Sequence, residues 1–334
     1  MNLQAIGKKA HKVHRLRSAI LRVVAMLGLM TLGSTVARAQ DYPSAKPIRI
    51  LTSQSGSGSD IVARIIADRL PASIGQRAVV DNRGIIAPEI AAKALPDGYT
   101  VLFYSTPLWV SPLMHDNALW DPVKDFAPVM LAVNAPNILV VHPSLPVKSV
   151  KDLLALAKAK PGALNYGSGS AGSSSHLAAE LFNSVANVNI VRIPYRGVGP
   201  ALLGLLGGHV QVMFPSASSA LPYMKSGKVR ALAVASAKPS ALVPGLPTVA
   251  SAGLVGYEAD TPLGVFMPAG AAPRVIERFN QILADALNIA DVKKLVTAQG
   301  SEVVASTPAE FAATLRSEIA RWSKLIKAKG LRED

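Results

Sequence analysis

Short apolar segments alternate with helical patterns along most of this chain, and that alternation constrains the fold more than any other feature. Residues 48–51, 78–80 and 100–104 are short strand candidates, and helical patterns lie between later strand candidates as well. Such alternation is typical of α/β folds and predicts largely parallel sheets. The chain has 334 residues, a length that suggests two domains at roughly 150 residues per domain.

The first 39 residues have the pattern of a signal peptide. They contain seven basic residues and no acidic one, an apolar run over residues 23–32, and the small-residue motif Ala37-Arg38-Ala39. A membrane anchor is the alternative, but the apolar run has ten residues where a spanning helix needs about 20. We therefore expect an exported protein cleaved after Ala39.

Charge and cysteine content exclude several classes of protein. The formal charge of +14 falls to +7 without the leader, because 28 basic and 21 acidic residues remain. These basic residues are scattered rather than gathered in a patch with aromatic residues, so we expect no nucleic-acid partner. The chain has no cysteine, which excludes disulfides, thiolate metal sites and cysteine nucleophiles.

Two loops rich in glycine and serine each lie between a predicted strand and a predicted helix. They span residues 53–60, where Asp60 is expected to cap the helix, and residues 167–175. Such junctions direct backbone N–H groups and the positive end of the helix dipole at one point, where a carboxylate or a phosphate can bind. Ordinary capping and turn chemistry is the alternative explanation of either loop alone.

The sequence gives little support for a known catalytic or cofactor-binding motif. The second loop contains G-x-G-x-x-G, but residues 187–195 lack the acidic residue that a dinucleotide site requires. There is no G-x-S-x-G elbow and no H-E-x-x-H. His176 is the only histidine near a candidate site. A histidine in such a position more often orients a loop than binds metal. We expect no cofactor, no metal and no enzyme activity, and an exported hydrolase or isomerase using His176 and a serine is the alternative.

The C-terminal region has the signals of one long structural helix. Thr307 to Glu310 read Thr-Pro-Ala-Glu, which is a capping box with proline at the first helical position. Apolar residues follow at helical spacing, and Gly330 is positioned to end the helix.

Several segments together resemble one family. They are Pro96-Asp97-Gly98-Tyr99-Thr100, Asp121-Pro122-Val123-Lys124-Asp125-Phe126, Gly172-Ser173-Ser174-Ser175-His176, Pro194-Tyr195-Arg196-Gly197 and Leu246-Pro247-Thr248-Val249. The chain is similar over nearly its whole mature length to the Bug proteins, the substrate-binding components of tripartite tricarboxylate transporters.

The resemblance implies a fold, a function and a set of partners. The fold would be a type II-like periplasmic binding protein, an α/β structure of two lobes joined by two crossover strands. Residues 40–140 and 240–334 would form the first lobe, and residues 141–239 the second. A monomer would capture a dicarboxylate or an aromatic carboxylate between the lobes for uptake by the membrane subunits of the transporter. A sensory role, in which the loaded protein binds a two-component receptor, is the alternative.

The resemblance also implies ligand-binding residues, carried over by position. Those of the first lobe are Ser53, Ser55, Gly56, Ser57, Gly58, Asp60, Ser105 and Thr106. Those of the second lobe are Ser168, Gly169, Ser173, Ser174, Tyr195, Arg196, Gly197 and Ser216. Asp60 would organise its loop or a bound water.

Three departures from the family pattern bear on the ligand. The first loop lacks the usual Pro-Phe-x-x-Gly-Gly, and the loop after Arg83 is shorter and contains Ile85 and Ile86. Pro215 and Pro262 replace a usual aspartate and a common aromatic residue. We therefore expect a less polar site, suited to a larger or aromatic carboxylate.

Overall fold

The computed structural model describes residues 42–43 and 46–332. The expected signal peptide and its cleavage site lie outside the described residues. None of the described helices combines the length and the apolar character that crossing a membrane requires.

The first sheet contains strands from both the N-terminal and the C-terminal parts of the described chain. Its strands are β1 (Ile48–Thr52), β2 (Ala78–Asn82), β3 (Thr100–Tyr104), β4 (Phe126–Pro136), β10 (Asp260–Pro268) and β11 (Glu302–Val303). Their order in the sheet is β11-β4-β10-β3-β1-β2. The N-terminal strands β1, β2 and β3 run parallel, whereas β10 is antiparallel to both β3 and β4.

Helices cover both faces of the first sheet. They are α1 (Gly58–Ile74), α2 (Ala87–Ala92), α3 (Pro107–Met114), α8 (Pro273–Asn288), α9 (Ala290–Ala298) and α10 (Pro308–Lys329). On one face, α1 and α8 bury Val62, Leu70 and Phe279. On the other face, α3 and α10 bury Trp109 and Trp322. This first lobe therefore has a core on each side of its sheet.

The second sheet is built from the middle of the chain. Its strands are β5 (Ile138–Val141), β6 (Asn165–Ser168), β7 (Val191–Pro194), β8 (Val212–Met213) and β9 (Arg230–Val234), in the order β7-β6-β8-β5-β9. The helices are α4 (Val150–Ala159), α5 (Ser174–Ala186), α6 (Val198–Leu206) and α7 (Ala217–Lys225). Phe182 of α5 and Leu205 of α6 lie in separate apolar clusters of this second lobe.

The prediction of largely parallel sheets is wrong. Among the described strands, four pairings are parallel and five are antiparallel. The antiparallel pairings involve β4, β5 and β10, which carry the chain between the two sheets. Parallel neighbours are joined by a crossover connection within one sheet, whereas β4 and β10 connect directly to the other sheet.

Two strands connect the lobes, as the family resemblance implied. The chain passes from β4 through Asn137 into β5, and it returns through Ala259 into β10. The two connections are held together where Asp260 pairs with Pro136. Both strands contain prolines. Because proline is normally depleted in sheets, the sequence pattern does not identify these segments as strands.

Asn137 fixes the junction of the two lobes and is fully buried. Its side-chain oxygen accepts a hydrogen bond from the Thr261 hydroxyl at 2.7 Å. Its amide nitrogen donates to the Ser174 carbonyl at 3.3 Å, and its backbone forms an isolated bridge with Ser216. One side chain thus ties a crossover strand to the start of α5.

The second sheet's core extends beyond the boundary expected at residue 239. Val249, Leu254, Tyr257 and Ala259 belong to the apolar cluster of the second sheet. They pack there because Val234 of β9 pairs with Thr248, which holds the following segment against that sheet. The assignment of residues 240–259 to the first lobe is therefore not the division that packing favours.

The expected C-terminal helix is confirmed. The Thr307 hydroxyl accepts from the Glu310 backbone N–H, and the Glu310 carboxylate accepts from the Thr307 backbone N–H. Helix α10 ends at Lys329, and Gly330 adopts the left-handed conformation with φ of 60°. That conformation is open to glycine without a steric cost.

We expect Asp260→Asn to stabilise the protein at pH 7. Burial raises the pKa of Asp260 to about 6, and its carboxylate accepts a hydrogen bond from Asn134 at 2.9 Å. A carboxyl whose pKa is higher in the folded state loses stability as pH rises from its unfolded value towards about 6. The gain at pH 7 should reach roughly 1–3 kcal/mol and should shrink towards pH 4, as measured by urea unfolding.

The matched control is Asp68→Asn, which removes an exposed carboxylate from α1. Its free energy of unfolding should change by no more than about 0.5 kcal/mol. An Asp260→Asn protein that is equally or less stable than the wild type at pH 7 would contradict the expectation.

Candidate functional site

The first-lobe loop forms a cluster of serine hydroxyls at the start of α1. The chain turns after β1, and the Ser53 hydroxyl contacts that of Ser57 at 2.8 Å. Ser59 contacts both, the Ser57 hydroxyl at 3.1 Å. Ser55 and Gly56 lie exposed at the tip. The loop therefore presents hydroxyls and backbone N–H groups close to the positive end of a 17-residue helix.

Asp60 lies in the first turn of α1 rather than at the capping position that the sequence suggested. Its carboxylate accepts hydrogen bonds from the Gly56 backbone N–H at 2.8 Å and from the Asn82 side chain at 2.9 Å. It also pairs with Arg64 at 2.9 Å. Burial opposes ionisation, but these partners outweigh it and hold the pKa of Asp60 below its usual value. The carboxylate thus organises the loop.

Ser105 and Thr106 lie between β3 and α3. Ser105 is half-buried, whereas Thr106 is 1% exposed. The Thr106 hydroxyl has no hydrogen-bond partner among the described residues, and neither has the indole nitrogen of Trp109, one turn later. Sequence reasoning missed Trp109. A buried polar atom without a partner costs about 1–3 kcal/mol.

The second-lobe loop is held by hydrogen bonds among its own serine hydroxyls and backbone groups. Ser173 caps α5 by accepting from the His176 backbone N–H at 3.3 Å, and its hydroxyl contacts that of Ser175 at 3.2 Å. The Ser175 hydroxyl accepts from the Gly169 N–H at 3.2 Å. Ser168 is fully buried at the end of β6. This arrangement concentrates hydroxyls at another helix N-terminus.

His176 holds the second-lobe loop in shape. Its Nδ1 atom accepts the Gly172 backbone N–H at 3.2 Å, and Gly172 has a φ of 66° that favours glycine. Burial, and then the charge of Arg192, lower the pKa of His176 to about 3. The imidazole is therefore neutral at physiological pH and already accepts a hydrogen bond through one nitrogen.

Tyr195, Arg196 and Gly197 contribute to the second lobe in different ways. The Tyr195 ring packs against Gly204 of α6, where a Cβ atom would overlap its hydroxyl. The Tyr195 backbone N–H donates to the Ser168 carbonyl at 3.0 Å. Arg196 is exposed, and Gly197 precedes α6 next to Gly169. Packing thus engages the Tyr195 ring, which also lies close to Gly167 at the start of the loop.

Ser216 belongs to a second cluster of hydroxyls that meets the first-lobe loop. Its hydroxyl contacts those of Ser218 at 2.8 Å and Ser219 at 3.2 Å. A Cβ atom added to Gly58 would lie 2.7 Å from the Ser218 hydroxyl and 3.7 Å from that of Ser216. The start of α1 and the start of α7 therefore face each other across the two lobes.

The lobes also meet beside the second-lobe loop. The Ser111 hydroxyl of α3 donates to the Ala171 carbonyl at 3.3 Å. A Cβ atom on Gly172 would lie 3.2 Å from the Ser111 backbone nitrogen. Of the predicted site residues, Gly58 and Ser216 are brought together across the lobes, and Arg196 is exposed.

The shortened loop after Arg83 lies beside the first-lobe loop. Ile85 and Ile86 belong to a short 3₁₀ turn, Gly84–Ile86, and are 55% and 48% exposed. The turn is held by Tyr104, whose hydroxyl donates to the Gly84 carbonyl at 2.9 Å. The Gln54 side chain of the first-lobe loop lies against Gly84. Two large apolar side chains are therefore presented beside that loop.

Sequence reasoning also missed Arg192. Its Nε atom donates to the Ser168 hydroxyl at 2.9 Å, although Arg192 looks like one scattered basic residue in the sequence. The sequence carries no local signal for this contact, because it depends on the parallel pairing of β6 and β7, which places Arg192 beside Tyr166.

The arrangement suits noncovalent binding of an anion. Its polar groups are backbone N–H groups, hydroxyls and helix N-termini, all of which stabilise negative charge. Within the described part of the chain, no group of three or more His, Cys, Asp or Glu side chains is placed to hold a metal ion.

Comparison with known proteins agrees with this geometry. Residues 62–331 match the tripartite tricarboxylate transporter family receptor. Protein BugT of Bordetella pertussis is 33% identical over 319 residues, covering 92% of this chain and 98% of BugT.

Two solved structures have the same fold. Rpa4515 of R. palustris, solved with adipate, is 34% identical with a TM-score of 0.82, covering 87% of this chain and 99% of the other. MatC of Rhodopseudomonas palustris, solved with bound malate, is 27% identical with a TM-score of 0.77, covering 84% of this chain and 99% of the other.

The fold and site define a two-lobe solute-binding protein of the periplasmic type. The chain belongs to the tripartite tricarboxylate transporter receptor family, which includes the Bug proteins. The resemblance seen in the sequence and the two-lobe α/β fold that it implied are both confirmed. Members of this family are substrate-binding proteins rather than enzymes, so the hydrolase or isomerase alternative is not supported.

We expect His176→Asn to reduce the loss of stability between pH 7 and pH 5. The imidazole protonates near pH 6.5 when the chain is unfolded, but only near about 3 when it is folded. A depressed folded pKa contributes stability above pH 6.5 that is lost as pH falls towards about 3. The wild type should lose roughly 1–2 kcal/mol more than the variant over this range, as measured by urea unfolding.

Asparagine keeps an acceptor for the Gly172 N–H but does not titrate. The exposed His209 provides the control, since His209→Asn should leave the wild-type pH dependence in place. Equal pH dependence of wild type and His176→Asn would contradict the expectation.

Proposed function

We propose that this protein captures a small carboxylate between its two lobes in the periplasm and delivers it to the membrane subunits of a tripartite tricarboxylate-type transporter. The observation that carries this proposal is the meeting of serine-rich helix N-termini from the two lobes. Gly58 at the start of α1 lies against Ser216 and Ser218 at the start of α7. An anion bound beside two positive helix ends would be stabilised by both of them.

The proposed ligand contacts are the loop residues of both lobes. Thr106 supports this choice, because its buried hydroxyl lacks a partner among the described residues. The proposed set comprises Ser53, Ser55, Gly56, Ser57, Gly58, Asp60, Ser105, Thr106, Ser168, Gly169, Ser173, Ser174, Gly197 and Ser216. The proposed set also includes Tyr195, because its backbone lies beside the loop, and Arg196, because its side chain is exposed. Asp60 acts indirectly, since its carboxylate is occupied by Gly56, Asn82 and Arg64.

A carboxylate is supported by two relatives and by the chemistry of the loops. The neighbouring structures hold adipate and malate, which are both dicarboxylates. The exposed Ile85 and Ile86 lie beside the first-lobe loop and favour a ligand with an apolar segment. We therefore propose a dicarboxylate with an apolar chain, or an aromatic carboxylate.

The proposal also covers the location, the oligomeric state and the lobe boundaries of the protein. The basic leader and the Ala37-Arg38-Ala39 motif support cleavage after Ala39 and a periplasmic location. We further propose that the mature protein is a monomer, whose first lobe includes residues 40–136 and 260–334. The second lobe would be residues 137–259, because packing joins residues 249–259 to the second sheet.

A thermal-shift screen of the chain from Gln40 to Asp334 tests the ligand class. The set comprises acetate, benzoate, succinate, malate, adipate, citrate and inorganic phosphate. We expect adipate or benzoate to raise the midpoint, because a ligand at a hundredfold excess over Kd adds about 2.7 kcal/mol. That corresponds to several degrees for a chain of this size. Protein refolded from urea serves as ligand-free material.

A shift with citrate and with none of the apolar acids would contradict the preference for an apolar chain. No shift with any carboxylate, in protein shown to be ligand-free, would contradict the proposed function itself. A loaded protein that binds a receptor kinase rather than the transporter would replace the transport role with a sensory one.

Gly58→Ala should weaken binding about tenfold. The new methyl group would lie 2.7 Å from the Ser218 hydroxyl, so the lobes could not approach as closely around the ligand. Removal of that hydroxyl in Gly58→Ala/Ser218→Gly should restore most of the affinity. Calorimetry with the carboxylate selected by the screen measures both changes.

Gly199→Ala is the matched control, because a Cβ atom at Gly199 meets no atom within 4 Å. Its affinity should equal that of the wild type. Full affinity in Gly58→Ala, or failure of Ser218→Gly to rescue it, would show that the contact between α1 and α7 does not govern closure.

A further inference from the structure

Arg192 lies directly behind the second-lobe loop. It is paired with Tyr166 on the neighbouring parallel strand, and its side chain extends to the end of β6. There its Nε atom donates to the Ser168 hydroxyl at 2.9 Å, and a terminal nitrogen approaches the Gly169 carbonyl at 3.4 Å. The guanidinium thus supports two adjacent residues of the proposed carboxylate site.

Acidic and phenolic groups lie near the guanidinium. The Tyr166 hydroxyl donates to the Glu180 carboxylate of α5, and both groups interact electrostatically with Arg192. Burial lowers the pKa of Arg192, and Tyr166 and Glu180 act in the opposite direction. The guanidinium is half-buried, so its field is screened less than that of a surface arginine.

The hydrogen bond from Arg192 determines what the Ser168 hydroxyl is able to do. Because the Ser168 oxygen accepts from a cation, the Ser168 proton must be donated elsewhere. The Gly169 carbonyl is 3.3 Å away, which is long for a hydrogen bond between oxygen atoms. A ligand carboxylate is a stronger acceptor, since hydrogen bonds to charged groups are about twice as strong as neutral ones.

The electrostatic influence of Arg192 extends to the rest of the loop. After burial, its charge is the second cause of the low pKa of His176. His176 in turn holds the Gly172 N–H. The Arg192 guanidinium therefore influences both Ser168 and His176, which lie at the two ends of the loop.

We propose that Arg192 is a positioning residue that gives the second-lobe loop its preference for an anionic ligand, acting through the Ser168 hydroxyl rather than by direct contact. This inference rests on the proposed carboxylate-binding function. It accounts for a second-lobe loop whose predicted contacts, Ser168, Gly169, Ser173 and Ser174, are uncharged, because a compensating positive charge lies behind that loop.

A purely structural role is the competing explanation, since Arg192 also joins β7 to the end of β6. The two roles differ in their dependence on charge. A structural tie needs the forked guanidinium geometry, which lysine cannot reproduce. An electrostatic role needs a positive charge, which lysine retains and glutamine does not.

The experiment measures adipate affinity by calorimetry for the wild type, Arg192→Gln, Arg192→Lys and Ser168→Ala. We expect Arg192→Gln to weaken binding at least tenfold and Arg192→Lys to stay within threefold of the wild type. Ser168→Ala should weaken binding by an amount similar to Arg192→Gln. The fall in wild-type affinity between 20 and roughly 300 mM NaCl should be reduced in Arg192→Gln, because screening acts on charge.

Two controls accompany these variants. Arg278→Gln removes an exposed positive charge from α8 of the first lobe and should leave adipate affinity unchanged. Thermal unfolding of each variant confirms that it is folded at the temperature of the titration. Equal weakening by Arg192→Lys and Arg192→Gln, with unchanged salt dependence, would overturn the proposal in favour of a structural tie.

A ligand-free measurement separates this inference from the proposed function. Histidine NMR signals are followed from pH 8 to pH 3, where wild-type His176 titrates, in the wild type and in Arg192→Gln. His176 should begin to protonate at a higher pH in the variant, because a nearby positive charge has been removed. Identical titration curves would overturn the proposal even if adipate does not bind to the wild type.

Discussion

The pairing of the two crossover strands is the constraint on which the rest of the structure depends. Asp260 of β10 lies opposite Pro136 of β4, and the intervening Asn137 is fully buried with both ends of its side-chain amide bonded. Because Asn137 binds Thr261 and the Ser174 carbonyl, the junction between the lobes is linked to the first turn of α5. The position of the second-lobe loop is therefore set by the same contacts that join the lobes.

Two charged groups beside the candidate loops are paired within the protein. Asp60 is neutralised by Arg64 and satisfied by Asn82, and Arg192 is directed to Ser168 and placed near Glu180. A buried charge without a partner is expensive, whereas hydroxyls and backbone N–H groups are not charged. The loops can therefore bind an anion through neutral donors while the compensating charges lie behind them.

Sequence reasoning succeeded where the signal is local and failed where it depends on tertiary contacts. The capping box at Thr307 and the two serine-rich loops are encoded within a few residues, so pattern alone located them. Strands β4 and β10 were not recognised from pattern, because their prolines violate the usual strand composition. The Tyr195 ring packs against Gly204. Arg192 donates a hydrogen bond to Ser168, which is 24 residues away in the sequence. Neither contact follows from spacing along the chain.

The hydroxyl clusters also explain how such a site tolerates opening and closing. Ser53, Ser57 and Ser59 hydrogen-bond with one another in the first lobe, and Ser216, Ser218 and Ser219 do so in the second. Each cluster satisfies much of its own hydrogen bonding, so separating the lobes leaves few buried donors without partners. A carboxylate favours the closed state only through contacts made with both clusters at once. Its differential affinity, rather than any rearrangement within a lobe, would therefore drive closure.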